Sequence, residues 1–187
     1  MSNHLDYEIN KELGECYLFM GDLDKAEDYY RKAALSNGEN AAPFLGLATI
    51  AVQRGKMDEA LVLYTKAASL EENDKTLSGI GLVYMEQGKH PEAFEYFTRA
   101  LTCNPQNMVA MNCLVREGYA LSCVDKVVPY LQACLDVAPE TETVRVTLAG
   151  CLITLGQNDQ ARAELESVLG TNPANTGARE IFETMAA

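Results

Sequence analysis

The sequence predicts an all-α fold, a right-handed α-solenoid of about five helix-turn-helix repeats with a capping helix at the C-terminal end. Apolar and small residues recur every 33 or 34 residues, and within each unit they follow helical rather than strand spacing. Glycine and proline separate the helical segments. A period of this length is typical of stacked small units rather than of one globular core. The units start at Tyr7, Ala41, Asp74, Met108 and Glu142.

The third unit shows the pattern most clearly. Its first helix carries an apolar stripe formed by Leu77, Ile80, Gly81 and Tyr84. Gly88 ends that helix, and Pro91 suits the first turn of the next helix, where an N–H would lack a partner. The second helix has a packing face formed by Ala93, Phe97 and Ala100. Pro105 ends this helix. Across the five units, the same reasoning predicts turns near residues 21, 55, 88, 122 and 156.

These motif residues resemble the tetratricopeptide repeat, in which a Gly-x-x-Tyr segment precedes Ala-x-x-x-aromatic, Ala and Pro. The resemblance covers about residues 7 to 175, although no unit carries the signature tryptophan. It implies a single solenoid domain over residues 1–187, with repeats at 7–40, 41–73, 74–107, 108–141 and 142–175. Residues 176–187 are expected to form the capping helix, because a repeat stack needs a terminal helix with one polar face.

The fourth unit departs most from the pattern. Gly118 stands at the tyrosine position, Ser122 at the turn glycine and Val127 at the small alanine. Because Pro129 is costly inside a helix, the second helix is expected to start near Asp125, with this side chain as its N-cap. The departures indicate either a local change in stacking that reshapes a binding groove or drift in a tolerant repeat.

Charge and composition restrict the classes of partner. The formal net charge of −12 disfavours nucleic acid and anionic membrane surfaces, and it favours basic partners. No apolar run reaches the length of a membrane span. Six scattered cysteines and two histidines do not form a zinc motif, so we expect free thiols, no metal, no cofactor and a cytoplasmic location.

The resemblance implies a concave groove lined by the first helix of each unit. The lining residues carried over from the family are Glu8, Lys11, Glu12, Glu15, Leu45, Thr49, Lys75, Ser78, Leu82, Asn112, Arg116 and Tyr119. Small residues in the middle, such as Gly46 and Gly79, are expected to leave depth for a partner's side chains. This lining predicts a protein or peptide partner with apolar anchors and a basic end. The alternative is that the small residues serve curvature and the carboxylates solubility.

Other functions have weaker support in the sequence. The carboxylate clamp of chaperone-binding relatives is disfavoured, because Glu15, Gly46 and Gly79 occupy clamp positions. The acidic charge keeps a class II-like chaperone of type III secretion as an alternative, and a homo-oligomer whose groove takes another copy's terminal helix is a further one. An enzyme is not expected, since His4 lies in an expected frayed start and His90 in a turn.

Overall fold

In the computed structural model, which describes residues 2–186, the chain forms eleven α-helices joined by short connections. They are α1 Ser2–Phe19, α2 Leu23–Ser36, α3 Ala41–Gln53, α4 Met57–Leu70, α5 Asp74–Glu86, α6 His90–Cys103, α7 Met108–Ala120, α8 Val128–Val137, α9 Glu142–Thr154, α10 Asn158–Thr171 and α11 Thr176–Ala186. A 3-10 turn, Val124–Lys126, precedes α8, and this described range contains no strand. Four predicted repeat starts coincide with the first residues of α3, α5, α7 and α9.

The turns within the helix pairs lie where the sequence predicts them. Gly21, Gly55, Gly88 and Gly156 have φ values between 72° and 79°, and Ser122 has φ 54°. Glycine adopts this left-handed region without a Cβ penalty, so it ends a helix sharply and lets the next one fold back. The predicted breaks are therefore confirmed. The expected frayed start is wrong, because α1 already includes His4, whose Nδ1 lies 4.0 Å from Glu8 Oε1.

Several helix starts are stabilised by side-chain caps. The Asn40 side chain accepts a hydrogen bond from the Ala42 N–H, and the Asn107 side chain accepts one from the Ala110 N–H. Asn73 forms a capping box, in which its side chain accepts from the Thr76 N–H while its own N–H donates to Thr76 Oγ1. Such caps satisfy backbone donors that have no partner inside the helix.

The chain divides into two compact units, Met1–Ala100 and Leu101–Ala187. In the first unit, α1 pairs with α2 and α3 with α4, while α2 also contacts α3 and α4 contacts α5. In the second unit, α9 pairs with α10, and α8 and α11 pack against these helices. The prediction of one continuous domain stays a prediction.

Two core clusters of the first unit join neighbouring repeats. In one cluster, Tyr30 of α2 packs with Ile50 of α3. In the other, Tyr64 of α4 packs with Ile80 and Val83 of α5. The core is therefore a chain of local contacts between consecutive repeats, as expected when each hairpin buries its apolar face against the next.

The helix start predicted for the fourth repeat is wrong in detail. Asp125 lies in the 3-10 turn rather than at an N-cap, and α8 begins at Val128 with Val127 at its cap position. Pro129 explains the shift, because it fits the first turn of a helix and would break an interior position.

Candidate protein-binding surface

The first helices of the repeats lie side by side in the first unit. Helix α1 contacts α3, and α3 contacts α5. Glycines permit this arrangement: a Cβ on Gly14 would lie 2.8 Å from Tyr30 Cδ1, and a Cβ on Gly46 would lie 2.3 Å from Tyr30 Cζ. The ring of Tyr30 therefore lies against both α1 and α3 and holds them together. We call seven accessible first-helix side chains of this unit at the family-derived positions the A-helix surface; they are Glu8, Lys11, Glu15, Leu45, Thr49, Lys75 and Leu82. Glu12, also exposed at such a position, borders this surface on α1.

The expected depth in the middle of this surface is not present. A Cβ on Gly79 would lie 2.2 Å from Tyr64 Cε1, so Gly46 and Gly79 both accommodate a tyrosine of the preceding repeat. Ser78 is only 5% exposed, and its hydroxyl donates to the Asp74 carbonyl at 2.5 Å. The prediction that these small residues leave room for a partner is wrong, because the space is filled from within the chain.

The α1 end of the A-helix surface is acidic but partly neutralised. Lys11 Nζ donates to Glu8 Oε2 at 2.6 Å, and this bond raises the pKa of Lys11. Glu12 and Glu15 are exposed. The charge that the A-helix surface offers to a ligand at this end therefore comes mainly from Glu15, with Glu12 at its border, rather than from three equivalent carboxylates.

The α3 and α5 part of the surface is more apolar. Leu45 and Leu82 are half-buried, and Lys75 is exposed. Thr49 Oγ1 donates to the Leu45 carbonyl at 3.0 Å and lies 3.4 Å from the Tyr64 hydroxyl oxygen. Burial raises the pKa of Tyr64, and the Thr49 hydrogen bond partly opposes this. An extended ligand would meet carboxylates on α1, leucines on α3 and α5, and an ammonium group on α5.

The remaining predicted residues lie on α7 in the second unit. Asn112 and Arg116 are exposed, and Tyr119 is 46% exposed with its hydroxyl oxygen 3.2 Å from Thr154 Oγ1. Cys113 is half-buried, and burial raises the pKa of its thiol, which disfavours a reactive thiolate. Sequence reasoning did not identify Glu117, a 1% exposed carboxylate whose Oε1 lies 3.8 Å from Arg116 Nε.

A cavity of about 690 Å³ lies between α9, α10 and α11. Ile153, Ile181 and Met185 supply its apolar lining, and its other lining residues are Asn158, Asp159, Arg162, Glu180 and Thr184. Ile153 belongs to α9, and Ile181 and Met185 belong to the capping helix α11. Nothing in the sequence brings α10 and α11 to the same cavity.

Neither a membrane-spanning helix nor a metal-binding cluster occurs in the described part of the chain. Between residues 2 and 186, none of the helices combines the length and the apolar character that crossing a bilayer requires. The same range holds no group of three or more His, Cys, Asp or Glu side chains placed to bind a metal ion.

Helix pairs in 33- or 34-residue steps, joined by close contacts between small and large side chains, define a repeat module of the protein–protein interaction class. Models of the tetratricopeptide repeat match residues 11–76, 75–107 and 124–184. The chain belongs to the tetratricopeptide repeat family, whose members are typically non-catalytic interaction modules. The resemblance noted from the motif residues is confirmed.

One curated relative is the BBSome complex member BBS4 of Bos taurus, which is 34% identical over 75 residues. That match covers 40% of this chain and 14% of BBS4, so the chain spans about one seventh of that protein. Among solved structures, PilF of Pseudomonas aeruginosa is similar with a TM-score of 0.75 at 18% identity, covering 99% of this chain and 90% of PilF.

YrrB, described as a tetratricopeptide repeat protein with an unusual peptide-binding site, is similar with a TM-score of 0.68 at 16% identity. The match covers 93% of this chain and 90% of YrrB. At these identities the likeness to PilF and YrrB concerns the fold. The predicted class, an all-α solenoid of helix-turn-helix repeats, is confirmed.

Proposed function

We propose that the chain is a non-catalytic scaffold or adaptor that holds an extended peptide or a helix of a partner protein on the A-helix surface. The observation that supports this proposal is the row of first helices, in which α1 contacts α3 and α3 contacts α5. The accessible side chains of this row include carboxylates, leucines and Lys75. The tyrosine rings behind the row lie close against the glycines and hold its helices together. A surface built on such packing favours binding, because less of it has to be ordered when a ligand arrives.

The partner chemistry follows from the charges on this surface. Glu15 on α1 and the overall charge of −12 favour a basic segment at one end of the ligand, and Leu45 and Leu82 favour apolar side chains in its middle. A cytoplasmic location agrees with the free thiols of all six cysteines and is part of the proposal. YrrB, a fold relative described as having a peptide-binding site, supports the same class of ligand.

A selection of peptides from a randomised library on the purified chain tests the proposal. The double variant Glu8→Lys/Glu15→Lys is expected to weaken the selected peptides at least tenfold, about 1.4 kcal/mol, in fluorescence anisotropy. The matched control is Glu92→Lys/Glu95→Lys, which makes the same charge change at exposed positions of α6.

The control is expected to keep affinities within about twofold, apart from long-range effects that 0.15 M salt screens. Equal losses of peptide affinity in both double variants would show that the effect comes from the net charge of the protein and not from a specific site. If neither Glu8→Lys/Glu15→Lys nor Leu45→Ala changed the affinity for the selected peptides, the A-helix surface would be excluded as the binding site.

A further inference from the structure

The outer side of α1 lacks the cover that the same side of α3 and α5 receives. In the second repeat, Pro43, Gly46 and Ile50 are buried, and in the third repeat the equivalent residues Thr76, Gly79 and Val83 are buried. The second helix of the preceding repeat covers both sets, with Tyr30 against Gly46 and Tyr64 against Gly79.

In the first repeat the equivalent positions are open. They hold Ile9, Glu12 and Cys16, all of them exposed. Leu5 and Met20, which are 63% and 73% exposed, extend the same stripe at spacings of four residues. We call Leu5, Ile9, Glu12, Cys16 and Met20 the α1 edge face. Large exposed apolar side chains aligned on one helix face are typical of an interaction site.

The two internal interfaces indicate which kind of element fits such a face. At each of them the cover is a helix of 14 residues, α2 or α4, and its tyrosine ring occupies the space above a glycine. On the α1 edge face, Glu12 replaces that glycine. A ring cannot occupy the same place, and a carboxylate facing a docked helix needs a cation to offset its desolvation.

A second copy of the chain is a poor occupant. Its terminal helix α11 exposes two carboxylates, Glu180 and Glu183, against one guanidinium, Arg179, and each copy carries a formal charge of −12. Like charges brought together at an interface suppress that pairing. The charge of the face therefore favours a different polypeptide with basic residues.

We propose that the α1 edge face is a second docking surface, separate from the A-helix surface, and that it binds a basic amphipathic helix of a partner protein. This helix lies along α1 as α2 lies along α3. It places a lysine or arginine opposite Glu12 and apolar side chains against Leu5, Ile9 and Met20.

The chain's own covering helix supplies the probe. Fluorescent peptides of residues 56–71 carry Asp58→Lys and Glu59→Lys in all versions, which makes them basic, and differ only at position 64. The three versions have Lys, the native Tyr, or Glu at that position. On the full chain, the Lys version is expected to bind at least tenfold more tightly than the Glu version, and the Tyr version is expected to be weaker than the Lys version.

Two protein variants test the contact itself. Glu12→Lys is expected to reverse the order, so that the Glu peptide binds more tightly than the Lys peptide. Glu12→Gly recreates the glycine found at positions 46 and 79 and is expected to strengthen the Tyr peptide severalfold. Ile9→Lys, at a 47% exposed position, is expected to weaken all three peptides at least tenfold while thermal unfolding stays unchanged.

The controls separate this proposal from the proposed function. Glu8→Lys/Glu15→Lys changes the A-helix surface and is expected to leave the preference for Lys over Glu at position 64 intact. The proposal would be overturned if neither Glu12→Lys nor Ile9→Lys changed the affinities of the peptides. Concentration-dependent dimers of the chain alone that Ile9→Lys abolishes would overturn it as well, because the occupant would then be a second copy.

Discussion

The two compact units fill the same repeat spacing with different side chains. In the first unit, aromatic rings of the second helices lie against glycines of the first helices, as Tyr30 does with Gly14 and Gly46. In the second unit, Leu131 and Leu165 stand at the ring positions and are fully buried, while Cys113 and Thr147 stand at the positions of Gly46 and Gly79. The repeat therefore constrains the separation of the helices more tightly than the identity of the residues between them.

The fourth repeat shows how such exchanges stay compatible. Its two departures, Gly118 at a usual tyrosine position and Val127 at a usual alanine position, form one contact, because a Cβ on Gly118 would lie 2.3 Å from Val127 Cγ2. The larger residue now stands at the N-cap of the second helix, and the smaller one lies on the first helix. The two still meet closely, although valine with glycine fills less volume than tyrosine with alanine.

The largest expected effect tests the ring contacts of the first unit. Gly79→Ala would place a methyl group within 2.2 to 2.5 Å of three ring atoms of Tyr64, which is 5% exposed. We expect the free energy of unfolding to fall by about 3 kcal/mol, the upper end for overpacking. Chemical denaturation measures this loss.

The control for helix propensity is Gly150→Ala, a helical glycine with open space around it at another repeat position. There the higher helix propensity of alanine is expected to raise stability by up to about 1 kcal/mol. Similar effects at both glycines would show that the loss at Gly79 does not come from the Tyr64 ring.

The second prediction uses the phenol groups, which the leucines of the second unit lack. Burial, followed by the nearby Glu15 charge, raises the pKa of Tyr30 from 10.0 to about 12. The pKa of Tyr30 is higher in the folded chain than in the unfolded chain. The stability that its neutral phenol contributes is therefore complete below pH 10 and is lost as the pH rises towards 12. The loss is about 1.4 kcal/mol per pH unit in that window.

Tyr30→Phe removes this ionisation, and Phe97 at the equivalent position of the third repeat shows that a phenylalanine fits. Urea denaturation at pH 9 and at pH 11.5 compares the two proteins. The variant is expected to lose less stability between these pH values than the unmodified chain, whereas equal losses would exclude Tyr30 as the cause.

The third prediction concerns the exchanged contact of the fourth repeat. Gly118→Ala is expected to lower stability by about 1–2 kcal/mol, because the side chain of Val127 is stiff and fully buried. Adding Val127→Ala should recover part of the loss. A double-mutant cycle in denaturant measures the coupling, expected at about 0.5–3 kcal/mol, and additive effects would show that the two residues do not compensate each other.

The smallest expected effect compares the turns. Gly55→Ala places a side chain at φ 73° and is expected to cost about 1 kcal/mol. Ser122 already bears that strain at φ 54°, so Ser122→Gly is expected to raise stability by about 0.5 kcal/mol after the entropic cost of glycine. Thermal unfolding measures both, and a destabilising Ser122→Gly would show that the serine side chain supports this turn.

The sequence predicted the helix pairs and their turns well because these depend on local patterns. Glycine at a left-handed turn and proline in a first turn act within a few residues, so breaks near 55 and 88 could be located from the chain alone. The start of α8 was harder to predict, because two local signals disagree there. Asp125 as an N-cap favours an earlier start, whereas Pro129 in the first turn favours a later one.

The candidate surface was less predictable than the fold. The family pattern identified Gly46, Gly79 and Ser78 as positions facing a ligand, but it could not show that tyrosines of the preceding repeat fill the space at Gly46 and Gly79. The residues that oppose one another across two repeats are 15 or more positions apart. Their contact depends on how each hairpin packs on the next.

By itself, the sequence determined the period, the helical class, the turn positions and the acidic character, since these follow from local propensity, spacing and composition. Only the tertiary structure decided which small residues are covered and which face of α1 stays open. Covering requires the second helix of a neighbouring repeat, and its reach depends on side-chain volumes that meet in space rather than along the chain.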